Sequence, residues 1–375
     1  MQSVSVRSQE FAIDASNVTG AGAVELVRSL LPKLLADDEL SCKSMAVGPT
    51  KLLSHEILTE AAGSLTPEMI DRTVPIPRLA FRALYCLGFY RPKSYRKPYP
   101  LLVLGDIPLR RRGRQVVFVH TPHLVEDIAG LPKTHKLKNV FMRAIFFFNN
   151  KHARAFIVQT ELMKKKLEAR FPETVGRIEV IGQPAPEWVL QVPRGYAECL
   201  SNGKNQRKKL KLIYPAAYYP HKNHKILAGL PRKLDEIIQE ISLTIDTKEL
   251  NAIASCNFIK FMGRLGPDEI LQSYLKSDAL LFLSNSESYG LPLIEAMYLG
   301  LPIVAPRLEY VEALCGAEPY YFKPNNVESL VDALTMLHDD IQCGERPNWG
   351  PQLDRIPEGW SEVALNIKAV LIETS

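Results

Sequence analysis

Glu287 and Glu295 stand at either end of the run Glu287-Ser288-Tyr289-Gly290-Leu291-Pro292-Leu293-Ile294-Glu295, with seven residues between the two carboxylates. An apolar run at 280–283 precedes this segment, and the apolar spacing from Leu293 to Leu299 predicts a helix after it. Strand, polar glycine turn and helix start together make an anion site, because the free N–H groups of the first helical turn face whatever occupies the turn. Gly290 lets a backbone approach a ligand closely, and Pro292 suits the first helical position, where its missing N–H is not needed. Glu287 falls in the turn and Glu295 one turn into the helix, so the two are expected to touch different parts of one ligand.

Two further side chains have the right chemistry in the right setting. Lys222, in Pro220-His221-Lys222-Asn223-His224, follows the first apolar run of the second half, where its charge would offset that of an anionic ligand. His120, in Phe118-Val119-His120-Thr121-Pro122-His123, falls at the carboxyl end of a predicted buried strand, the end from which ligand-binding residues of parallel sheets project. Read one at a time, these residues have plainer roles: Glu287 as a helix cap, Lys222 as a solvated lysine, His120 as a strand-end hydrogen-bonding group. His221 and His224 lack a carboxylate or a further ligand at a supportive spacing, and no D-x-D loop is present, so no metal is expected. The six cysteines form no C-x-x-C pair, which suggests neither a zinc site nor a disulfide framework.

The segment from Glu287 to Glu295, with Glu295-Ala296-Met297, resembles the E-x7-E motif of retaining glycosyltransferase family 4, the group 1 glycosyl transferases. The resemblance implies a GT-B fold: two Rossmann-like doubly wound domains facing a cleft, with a C-terminal helix crossing back to the N-terminal domain. It implies that Glu295 binds the ribose hydroxyls of a nucleotide sugar and that Glu287 contacts the donor sugar near the reacting centre. Backbone groups of Ser288, Tyr289, Gly290 and Leu291 would contact sugar and phosphate, and Lys222 would bind the diphosphate. His120 matches the family's active-site histidine, and Gly20-Ala21-Gly22 the loop where the first strand and helix approach donor and acceptor. The family pairs its lysine with an arginine five residues earlier, but here that position is Ala217; Arg264, after the run 258–262, is a candidate to compensate, as are His221 and Asn223.

The elements that must position these residues alternate as a parallel sheet requires. Apolar runs at 11–14, 101–104, 116–119, 155–158 and 178–181 are separated by helical or basic segments, and the pattern restarts at 212–214, 258–262, 279–283 and 302–305. A chain of 375 residues with 46% hydrophobic content is too long for one core, so two domains are expected. The boundaries read as 1–183 for an N-terminal acceptor-binding domain, 184–210 for a polar, lysine-rich linker, 211–350 for a nucleotide-sugar-binding domain and 351–375 for the crossover helix.

The net charge of +5 is unevenly spread: about 27 basic and 17 acidic side chains fall before residue 184, against roughly 19 and 24 after it. The basic runs at 91–97 and 110–112, the first interleaved with tyrosines, suggest peripheral docking on an anionic membrane. No RNA-binding motif or recognition helix accompanies them, so nucleic acid is not expected as a partner. The expected partners are a nucleotide-sugar donor and a saccharide or lipid-linked acceptor, with no cofactor. With no leader pattern and no apolar run long enough to span a bilayer, a cytoplasmic enzyme at the inner face of the membrane is expected, in polysaccharide or lipopolysaccharide assembly. The alternatives are a sugar-nucleotide epimerase of similar fold and a non-catalytic scaffold.

Overall fold

The computed structural model describes residues 9–18, 21–36, 40–47, 68–69, 78–89, 99–110, 114–127, 133–196, 209–247 and 257–373. The chain divides into two compact units, Met1–Gln183 with Glu358–Ser375, and Pro184–Pro357.

The first unit is built on β1 (Gln9–Ala15), β2 (Leu40–Val47), β3 (Glu68–Met69), β4 (Leu101–Val103), β5 (Gln115–Phe118), β6 (Ala155–Val158) and β7 (Ile178–Val180). All pairings are parallel and the order is β3-β2-β1-β4-β5-β6-β7. Strands β4, β5 and β6 are buried at every position, as a parallel strand covered on both faces must be. The polar exception, Gln115, is satisfied locally: its side-chain oxygen accepts from the Leu109 N–H at 3.0 Å and its amide donates to the Leu109 carbonyl at 2.7 Å. Helices α1 (Ala21–Leu35), α2 (Arg78–Cys86), α3 (Lys133–Asn149) and α4 (Glu161–Arg170) accompany this sheet.

The second unit holds β8 (Leu210–Tyr214), β9 (Ile238–Leu243), β10 (Ile259–Phe261), β11 (Ala279–Leu281), β12 (Ile303–Pro306) and β13 (Tyr320–Phe322), again all parallel, in the order β10-β9-β8-β11-β12-β13. Its longer helices are α5 (Pro267–Leu275), α6 (Leu291–Leu299), α7 (Glu309–Cys315) and α8 (Val327–Cys343). In both sheets the chain winds outward from the first strand, then returns to its other side, which leaves a switch point between β1 and β4 and another between β8 and β11. The last helix, α9 (Trp360–Glu373), belongs to the first unit and packs on α1; Trp360, Val363, Ile367 and Leu371 recur at helical spacing and are all buried.

The structure departs from the sequence expectations in places. Strands β2, β3, β9 and β13 have no counterpart among the predicted runs: polar residues interrupt β9, which reads Ile-Gln-Glu-Ile-Ser-Leu, and β2, where among residues 41–47 only Met45, Ala46 and Val47 are buried, while β3 and β13 span just two and three residues. Gly22 lies inside α1 and is exposed, not in a loop, while Gly20 falls outside the described residues. The second unit begins within the expected linker: Trp188 and Val189, on the helical turn Glu187–Leu190, are buried in its core. Residues 351–357 also belong to that unit, and the helix of 360–373 is the part that returns. The basic run at 91–97 and Arg111 and Arg112 lie outside the described residues.

Candidate active site

Strands β8 and β11 are neighbours, with Leu212 opposite Ala279 and Ile213 opposite Leu280. The segments leaving their carboxyl ends, 215–223 and 284–290, therefore flank the switch point, where open α/β sheets bind ligands. The two segments are tied through their backbones. The Asn285 N–H donates to the His221 carbonyl at 2.7 Å, and the Tyr214 hydroxyl donates to the Lys222 carbonyl at 2.6 Å. Tyr214 is fully buried in β8, so a core side chain fixes the backbone from which Lys222 projects. Asn223, in the left-handed region at φ 53°, turns the chain just beyond it.

Lys222 Nζ forms an ion pair with Glu287 Oε1. The side chains are only 15% and 17% exposed, so water screens them poorly and each neutralises the other. An incoming phosphate would compete with Glu287 for the ammonium.

Glu295 lies in the second turn of α6, is 6% exposed, and accepts a 2.6 Å hydrogen bond from the hydroxyl of Tyr274 on α5. Burial, and then the adjacent Glu295, hold the Tyr274 hydroxyl well above its ordinary pKa, which keeps it a donor. Helix α6 opens on Gly290 at φ 88°, a conformation that costs a residue with a Cβ; a Cβ there would also stand 3.0 Å from Leu293 Cδ1. Leu291 is the first helical residue, so Pro292 stands one place later than its expected position and still within the first turn, where the Leu293 N–H already donates to the Gly290 carbonyl at 2.9 Å. The Tyr289 side chain is buried in the core, Ser288 and Leu291 are half-buried, and the Ser284 carbonyl ahead of the turn accepts from the Tyr310 hydroxyl of α7 at 2.6 Å.

Other residues around the switch point have different duties. Ala217 is exposed, and the aligned rings of Tyr219 and His221 stack with centroids 5.6 Å apart. His224 is buried between Tyr214 and Tyr218; burial, followed by the charge of Lys222, lowers its pKa to about 4. Arg264 is exposed beyond β10, with β9 and β8 intervening before β11, and makes no contact with Lys222 or Glu287 among the described residues.

In the first unit, His120 follows β5 and Asp106 follows β4. Asp106, at φ 67°, turns its carboxylate onto the next loop: Oδ1 accepts from the N–H groups of His120 at 2.7 Å and Thr121 at 2.9 Å, and lies 3.5 Å from His120 Nδ1. Sequence reasoning missed Asp106 and Tyr274. The Gly105-Asp106 pair directly after an apolar strand was a usable signal for the first; nothing local marked the second.

The sequence profile of the family described as Glycosyl transferases group 1 matches residues 201–350. Over these residues the chain is similar to the group 1 glycosyl transferases. Lys222, Tyr274, Glu287 and Glu295 all lie within it, and His120 and Asp106 lie outside. Among curated relatives, Sulfoquinovosyl transferase SQD2 of Arabidopsis thaliana is 39% identical over 85 residues, 21% of this chain and 17% of that protein. The GtfA subunit of the UDP-N-acetylglucosamine–peptide N-acetylglucosaminyltransferase of Streptococcus agalactiae is 26% identical over 219 residues, 55% of this chain and 40% of the relative. The chain thus covers less than half the length of either protein. The fold of the whole chain is similar to that of sucrose-phosphate synthase from Thermosynechococcus elongatus, with a TM-score of 0.64, 15% identity and 97% of each chain covered. The matched segment therefore falls in the second of the two Rossmann-like units of a GT-B fold.

Proposed function

We propose that this protein is a retaining, metal-independent glycosyltransferase that moves a hexosyl group from a nucleoside-diphosphate sugar to a saccharide or lipid-linked acceptor. The observation that carries the proposal is the Lys222–Glu287 ion pair at the β8/β11 switch point of a group 1 domain, one helical segment ahead of Glu295. On this reading the diphosphate takes over Lys222 and the amides at the start of α6, which stabilise charge as the leaving group departs. Glu287, released from the lysine, orients the donor sugar, and Glu295, held by Tyr274, binds the ribose. His120, oriented by Asp106, acts beside the sugar. With Ala217 in place of an arginine, Lys222 and the helix amides carry the phosphate charge, and Arg264, on the loop after β10, stays in the donor site as a residue that does not reach the ion pair. The name of the streptococcal relative makes a UDP-sugar the first donor to test. Assembly of a cell-surface polysaccharide or lipopolysaccharide, on the cytoplasmic side of an anionic membrane, is the setting we propose.

The test is thermal stabilisation by UDP, GDP, ADP and dTDP in the presence of a chelator. Ligand at about 100 times its Kd should add roughly 2.7 kcal/mol to the unfolding free energy and raise the melting temperature. A rise with one nucleotide that survives chelation supports the reading; no rise with any of them overturns it. Glu295→Ala should raise the donor KM with little change in kcat, whereas Glu287→Ala should lower kcat more than it raises KM.

A further inference from the structure

Helix α3 of the first unit is apolar on the side that faces solvent. Leu137 (72% exposed), Val140, Phe141, Phe147 (50%) and Phe148 (65%) are exposed, whereas Ile145 and Phe146 are buried. At about 100° per residue the exposed five fall on one stripe, and Lys136 and Lys138 flank it on opposite sides. The rings of Phe147 and Phe148 meet edge to face, with centroids 5.5 Å apart, so the last turn of the helix ends in a paired aromatic surface.

Directly after α3 the chain enters a different environment. Lys151 and His152 line a pocket of about 530 Å³ with Arg114, Arg154 and Arg177. The three arginines immediately precede strands: Arg114 before β5, Arg154 before β6 and Arg177 before β7. The pocket therefore lies at the amino end of the sheet, the end opposite to His120. Arg177 is fixed by backbone carbonyls, donating to Ala153 at 2.8 Å and Asn150 at 3.2 Å, and its nearest acidic influence is Glu173. Arg114, Lys151 and Arg154 are exposed and have no acidic partner within ion-pair distance among the described residues. A concave group of unpaired cations selects an anion, and an exposed aromatic stripe selects hydrocarbon; a surface offering both is an anionic bilayer.

We propose that the exposed face of α3 and the adjoining basic pocket dock this protein on an anionic phospholipid bilayer, with a lipid phosphate taken between Arg114, Lys151 and Arg154 and the Phe147–Phe148 pair entering the acyl boundary. The proposal deepens the membrane reading above by naming its face, and it does not depend on glycosyl transfer. The experiment is co-sedimentation of the full chain with vesicles of phosphatidylcholine, alone or mixed with phosphatidylglycerol. The expected result is retention on the mixed vesicles only. Lys151→Ala and Arg154→Ala should each weaken partitioning roughly fivefold, and the double variant Phe147→Ser/Phe148→Ser by about tenfold or more, all with unchanged circular dichroism because these side chains are exposed.

Failure of the wild type to bind mixed vesicles overturns both this proposal and the broader membrane reading. Retention that none of these variants changes leaves the membrane reading standing and overturns the face named here. Binding of inorganic phosphate or glycerol phosphate lost in the Lys151 and Arg154 variants, without vesicle retention, assigns the pocket to a soluble anion and overturns the proposal. So does binding of a DNA duplex with the same dependence and no retention on vesicles.

Discussion

At the scale of single residues, the contacts that matter are those a ligand must displace or rely on. Glu287 holds Lys222 in an ion pair, so replacing Glu287 frees the lysine as well as removing a carboxylate from the switch point. Tyr274 has the narrower task of aiming Glu295. Tyr274→Phe should destabilise the fold by about 1–3 kcal/mol, because it takes the donor from a buried carboxylate. Steady-state kinetics of that variant should show a raised donor KM with kcat nearly unchanged; a fall in kcat alone would refute a positioning role. His224 supplies a pH dependence. Its pKa is lowered from 6.5 to about 4 by burial, so it is neutral in the folded chain while the unfolded chain binds a proton between these values. Its contribution to stability is full above pH 6.5 and is lost as the pH falls through about 4, up to roughly 3 kcal/mol. Denaturant midpoints measured from pH 7 to 4 should fall less steeply for His224→Phe than for the wild type.

At the scale of elements, α6 is the part on which the site depends most. It is buried nearly all round, starts on Gly290 and ends on Gly300 at φ 80°, with the Leu301 N–H returning to the Ala296 carbonyl at 2.9 Å. Gly290→Ala should cost about 1–2 kcal/mol from the left-handed conformation alone, and more if Leu293 cannot shift. Urea unfolding measures that cost, and nucleotide titration of the same variant should show weaker binding, since the first amides of α6 turn with residue 290. This element is legible in the sequence, because its strand, glycine turn and apolar helix are contiguous in the chain. Strands β9 and β13 were not, because a polar-interrupted run or one of three residues looks like a loop until a neighbouring strand supplies the missing hydrogen bonds. The same limit applies to Gly22, whose small-residue surroundings read as a turn and whose backbone instead continues into α1.

At the scale of the molecule, the chain makes two sheets of the same winding and returns its last helix to the first. Trp360 anchors that return in full burial. Trp360→Ala should remove about 3–5 kcal/mol from the first unit. Calorimetry with and without a bound nucleotide checks this: the transition that nucleotide stabilises should keep its position, while the other moves to lower temperature. If both move together, the units unfold as one.

The sequence by itself determined the α/β class, the two-part organisation and the local placement of the candidate residues: Glu287, Gly290 and Glu295 lie within one strand-turn-helix segment, and Lys222 and His120 each follow an apolar run. Those readings succeed because hydrophobic periodicity and turn chemistry act over a few residues. Only the tertiary structure decided that Tyr274 holds Glu295 across 21 positions, that Asp106 holds His120 across 14, and that Arg264 stands strands away from the ion pair. It also decided where the exposed stripe of α3 meets a basic pocket. Strand order is set by which apolar faces bury one another and not by chain proximity, so contacts that depend on it leave no mark in the spacing of residues.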